Sequence, residues 1–119
     1  MKKLMIVDDA SFMRVSIKRM LTGYNYEVVA EAEDGEQAVE LYKKYKPDVI
    51  TMDITMPKMT GIEALKAIKA IDKNVKIVML SAMGQEFLIR EAVMNGAESF
   101  VVKPFSKEKL VDVLNKLTQ

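Results

Sequence analysis

The chain has 119 residues, half of them hydrophobic and 29% charged, which suits one ordinary soluble globular domain over 1–119 with a core of its own. Lys plus Arg is 18 and Asp plus Glu is 17, a formal charge of +1, so there is no basic excess for a nucleic-acid partner. No apolar run is long enough to span a bilayer, and Met1-Lys2-Lys3-Leu4 meets acids too soon to be a signal peptide, so no membrane partner and a cytoplasmic location are expected. There is no Cys and no His, which excludes disulfides, thiolate metal sites, thiol nucleophiles and histidine bases.

Along the chain, two periodicities alternate. Leu4-Met5-Ile6-Val7 is a short apolar run stopped by Asp8-Asp9. Met13, Ile17, Met20 and Leu21 then fall on one face of a first helix. Val28-Val29-Ala30 is a weaker run that ends in acids, and Ala38, Val39, Leu41 and Tyr42 mark a second helix that stops before Pro47. Val49-Ile50-Thr51-Met52 is stopped by Asp53, and Ile62, Leu65, Ile68 and Ile71 mark a third helix. Ile77-Val78-Met79-Leu80 is stopped by Ser81. Leu88, Ala92 and Asn95 line a fourth helix with Gly96 as its stop. Phe100-Val101-Val102 runs into Lys103-Pro104, and Leu110, Leu114 and Leu117 mark a fifth helix with Ser106 as N-cap.

Continuous apolar runs of this length read as strands buried on both faces of a parallel sheet. Strict alternation with helices predicts an α/β fold of five βα units, doubly wound, with helices on both faces. In such sheets ligands bind beyond the carboxyl ends of the strands. Those ends supply Asp8, Asp9, Asp53, Ser81 and Lys103. Three carboxylates against one ammonium leave two negative charges in excess. A divalent cation would cancel them, and ligation by oxygen alone selects a hard ion such as Mg²⁺. Asp53, at the central strand, would then be the carboxylate free to attack phosphorus. The metal and Lys103 would neutralise charge on the transferring group, and Ser81 would donate to a phosphoryl oxygen. Each residue alone has a plainer reading: Asp8-Asp9 or Ser81 as N-caps, Asp53 as a turn residue before Pro57 and Gly61, Lys103 as a surface lysine. Four such accidents at four strand ends would be needed to explain the set.

Four stretches carry a resemblance: Leu4 to Asp9, Met52-Asp53-Ile54-Thr55-Met56-Pro57-Lys58-Met59-Thr60-Gly61, Leu80-Ser81-Ala82 and Lys103-Pro104-Phe105. In this order and spacing they resemble the signatures of the receiver domain of two-component response regulators, across the whole chain. The resemblance implies a flavodoxin-like fold with strand order 2-1-3-4-5. It implies Asp53 as phosphoacceptor, and Asp8, Asp9, Asp53 and the backbone carbonyl of Thr55 around Mg²⁺. It further implies a cis Lys103-Pro104 bond, Ser81 as switch hydroxyl, and Phe100 where the family has a rotating aromatic, commonly Tyr. Phenylalanine has no hydroxyl, so switching there would rest on packing.

Within the family, Thr51 to Pro57 and Ser81-Ala82-Met83-Gly84-Gln85 look most like stand-alone chemotaxis receivers. That implies a histidine kinase as donor, the flagellar motor switch as output partner, a phosphatase as a further partner, and a monomer. A relay intermediate and the receiver half of a transcription regulator are the alternatives; the ending at Thr118-Gln119 straight after the fifth helix leans to a stand-alone protein. Turnover of external phosphomonoesters is not expected, because Thr55 stands where an aspartate-nucleophile phosphatase has its acid. A flavin protein is disfavoured because Asp8-Asp9 occupies the place of a phosphate loop. Thr55 and Met83 are expected to flank the site and tune how easily water reaches the acyl phosphate, with Met52, Met56 and Met59 packing around it. Phe87 and Ile89 are candidates for a partly exposed partner patch.

Overall fold

A computed structural model describes residues 1–119. Five strands alternate with five helices: β1 (Lys2–Val7), α1 (Ser11–Leu21), β2 (Tyr26–Ala32), α2 (Gly35–Tyr45), β3 (Val49–Asp53), α3 (Gly61–Ile71), β4 (Lys76–Ser81), α4 (Glu86–Met94), β5 (Ser99–Val102) and α5 (Lys107–Leu117). All strand pairs are parallel and the order is β2-β1-β3-β4-β5, the flavodoxin-like arrangement. No helix is long and apolar enough to cross a membrane.

The sheet separates two cores. Alternate residues of the central strands, such as Met5, Ile50, Met52, Ile77 and Met79, pack with α2, α3 and α4 in the larger one. Their neighbours Leu4, Ile6, Val49, Val78 and Leu80 pack with α1 and α5 in the smaller. This burial on both faces is why these strands read as unbroken apolar runs. The run at β2 is weaker because β2 is an edge strand, with a neighbour on one side only and Val28, Val29 and Ala30 half-buried.

The helix faces follow the predicted stripes, with one departure. Ile71 is expected on the buried stripe but is 47% exposed as the last residue of α3, whereas Ile68, three residues earlier, is fully buried. Of the two residues expected off the α4 stripe, Phe87 projects into solvent and Ile89 is half-buried against the larger core. Ser106 caps α5 by accepting from Lys109 N–H, and Gly96 ends the α4 segment at φ +106°. Thr60 and Glu63 form a reciprocal capping box that starts α3.

Candidate functional site at the carboxyl edge of the sheet

The predicted residues meet. Asp8 follows the last residue of β1, and Asp53 and Ser81 are themselves the final residues of β3 and β4. Lys103 follows the end of β5. Carboxylate oxygens of Asp8, Asp9 and Asp53 lie within 4.8 Å of one another. Lys103 Nζ reaches across the edge to Asp8 Oδ2 at 3.1 Å and Asp53 Oδ1 at 3.2 Å. The Lys103–Pro104 bond is cis, as the resemblance implies.

Asp8 and Asp53 are buried, while Asp9 is exposed at the mouth. The plainer reading of the pair as helix caps does not hold for the side chains, because α1 has Ala10 at its N-cap and no side-chain capping bond. Asp8 Oδ1 instead accepts from Ala10 N–H at 2.9 Å, which turns the chain and leaves its second oxygen for Lys103. Burial raises the carboxyl of Asp53 to about 6; Lys103 opposes this, and the charges of Asp8 and Asp9 add to it. Burial works against the ammonium of Lys103, but Asp53 and Asp8 outweigh it and hold that group above its ordinary value. Asp53 at rest is thus a carboxylate under charge pressure that one lysine does not relieve. The donor set, three carboxylates and no softer ligand, fits a hard divalent cation such as Mg²⁺.

Ser81 is completely buried and its hydroxyl has no hydrogen-bond partner, so it is not a helix cap. An unpaired buried hydroxyl is costly, and this one stands at the strand end one register position beyond Leu80, the partner of Asp53. By alternation Ser81 and Asp53 leave the sheet on opposite faces, and a group attached to Asp53 beyond the edge is where the two sides meet. Phe100 lies opposite Met79 on β5, two residues before Val102, which is opposite Ser81. Its ring points outward, 42% exposed, between a groove of about 500 Å³ walled by α4 and another against Phe105 and α5.

The methionines divide. Met52 and Met56 are buried in the larger core and Met59 packs against it, but Met83 is 78% exposed on the α4 groove. Thr55 is exposed, and its hydroxyl accepts from Gln85 Nε2.

Two supporting residues were not singled out from the sequence. Gly61 N–H donates to Ile54 O at 2.7 Å, and a Cβ there would fall 2.0 Å from the carbonyl oxygen of Asp53. Only glycine lets α3 start this close behind Asp53. Arg14 donates from Nη1 to Asp8 O and from Nε to Glu31, fixing the end of β1. Gly61 lay within a quoted motif; Arg14 gives no sequence signal, since its role depends on β2 lying beside β1.

Residues 4–115 match the response regulator receiver domain family. The chain belongs to that family. This receiver is 52% identical to the chemotaxis protein CheY of Thermotoga maritima over 99% of its own length and 98% of the relative's. It is 54% identical to CheY of Bacillus subtilis over 96% and 95%. In solved structures it resembles the CheX–CheY–BeF3–Mg²⁺ complex from Borrelia burgdorferi with a TM-score of 0.92, 36% identity, and coverage of 99% of this receiver and 90% of that chain.

Proposed function

We propose that the chain is a signalling switch set by phosphorylation of Asp53. The observation that carries this reading is the grouping of three carboxylates at the sheet edge, two of them sharing one lysine, with an unpartnered hydroxyl at the end of the adjacent strand. Asp8, Asp9, Asp53 and the Thr55 carbonyl would hold Mg²⁺, which supplies neutralising charge for a phosphoryl group in transit. An oxygen of Asp53 attacks phosphorus as the bond from phosphorus to the donor breaks. Lys103, already within reach of Asp53, neutralises a phosphoryl oxygen. Having no His, the chain takes the group from another molecule: a histidine kinase of the chemotaxis type, or a small acyl phosphate. It is a receiver that assists its own phosphorylation and dephosphorylation, not a turnover enzyme.

The new oxygens give the Ser81 hydroxyl the acceptor it lacks. Ser81 moves toward them, Phe100 turns into the space released, and the surface of α4, β5 and α5 is reshaped, a shift between two packings biased by local charge. The likeness to CheY proteins supports the flagellar motor switch as the output partner. The CheX complex of a relative supports a second protein partner, to which we assign the part of a phosphatase.

The test is binding of a flagellar switch peptide with and without Mg²⁺ and beryllofluoride. Binding only in the activated state is expected, with Ser81→Ala still phosphorylated but poorly coupled to it. Equal affinity in both states contradicts the switch.

A further inference from the structure

Gln85 sits at the start of α4, yet its side chain makes no capping bond to that helix. The amide reaches in two other directions. Its Oε1 accepts from Ala82 N–H at 2.7 Å, and its Nε2 donates to Thr55 Oγ1 at 3.0 Å. Ala82 directly follows Ser81, and Thr55 is two residues past Asp53. One side chain therefore ties the loop leaving β4 to the loop leaving β3. No other hydrogen bond joins residues 82–85 to residues 55–60.

Little else restrains the β4–α4 loop. Ala82, Met83 and Gly84 are exposed, and Ala92 is the one fully buried residue of α4. A loop with few buried contacts is held by its polar ties.

We propose that Gln85 is a positioning residue that sets how long the phosphoryl group survives on Asp53. The inference rests on Asp53 being the phosphoacceptor. In hydrolysis a water oxygen bonds to phosphorus as the bond from phosphorus to the Asp53 oxygen breaks. The carboxylate is restored, and inorganic phosphate and a proton leave to solvent. The water enters in line, from the side opposite the Asp53 oxygen, and so through the mouth between these two loops. The Gln85 amide keeps the loops together and the Thr55 hydroxyl in place. Without it the mouth widens and water arrives more often.

The experiment loads the intact chain with a small acyl phosphate and Mg²⁺, removes the donor and follows the phosphorylated fraction by intact mass. Gln85→Met keeps the side-chain length and removes both hydrogen bonds. Its phosphoryl group should be lost faster by roughly three- to tenfold, the scale of one or two hydrogen bonds. Thr55→Val should act in the same direction, and the double variant should be no faster than the faster single one. A lower melting temperature with an unchanged decay rate would mark Gln85 as merely structural and overturn the proposal. Unchanged or slower decay, additive effects in the double variant, or a folded Gln85→Met that takes up no phosphoryl group would overturn it as well. If the unaltered chain loads no more than Asp53→Asn, the phosphoacceptor reading itself fails; if it loads and only the Gln85 effects are missing, this inference alone fails.

Discussion

The two ends of the sheet handle polar groups in opposite ways. At the amino end the polar side chains that pack against the sheet have partners of their own. Lys69 Nζ meets Glu98 Oε2 at 2.7 Å and Val75 O at 2.6 Å, while Glu98 Oε1 accepts from Ile77 N–H. The Tyr42 hydroxyl donates to Asp72 at 2.6 Å, and Asp48 accepts from Lys3 N–H at 2.8 Å. At the carboxyl end Asp8 and Asp53 share Lys103, Asp9 beside them has no cation of its own, and the Ser81 hydroxyl has no partner. Both ends are charged, so charge alone does not mark the site. What marks it is the remainder, polar groups that a phosphoryl group and a cation would complete.

Breaking a completed pair should cost the most stability. Lys69→Met leaves Glu98 without its cation and should destabilise the chain by about 2–3 kcal/mol in chemical denaturation, with phosphoryl uptake retained. A smaller effect of opposite sign is expected at the incomplete end. Folding raises the Asp53 carboxyl to about 6, so the folded chain keeps a proton that the unfolded chain has lost. Stability contributed by this group therefore falls as pH rises from about 4 to about 6. Asp53→Asn removes the cost of a buried charge and should gain on the unaltered chain across that window by about 1–2 kcal/mol, less than the full shift because solvent at the mouth offsets part of that cost. Mg²⁺ should remove most of the difference, and a difference between the two chains that is the same at pH 4 and pH 7 without it would contradict the reading.

The smallest effect concerns a second unpartnered hydroxyl. Thr51 Oγ1 is fully buried with no hydrogen-bond partner, inside the sheet between Ile6 and Val78. Nothing that binds at the edge completes it. Thr51→Val should stabilise by about 1 kcal/mol and leave phosphoryl uptake unchanged, whereas Ser81→Ala should uncouple the output. Melting curves and peptide binding on the same two variants separate an incidental orphan from a functional one.

The sequence carried the fold because each central strand is buried on both faces, so apolar runs and their polar stops were visible. The same stops placed Asp8, Asp53, Ser81 and Lys103 at one edge, since a parallel sheet brings all strand ends together. Helical period puts Ile71 on the buried stripe but does not show that the helix ends at that residue, where its side chain meets solvent. Arg14 and Gln85 were silent for a different reason. Their partners, Asp8 and Glu31 for one and Ala82 and Thr55 for the other, come together through neighbouring strands and loops. The outward pose of Phe100 depends on how α4 packs, which a single residue does not reveal.

The central claim is that Asp53 alone of the three carboxylates takes the phosphoryl group. Intact-mass measurement after incubation with a small acyl phosphate and Mg²⁺ tests it most directly. One phosphoryl group per chain is expected, absent in Asp53→Asn and absent when Mg²⁺ is chelated. Equal uptake by Asp53→Asn, or uptake indifferent to Mg²⁺, would contradict the account.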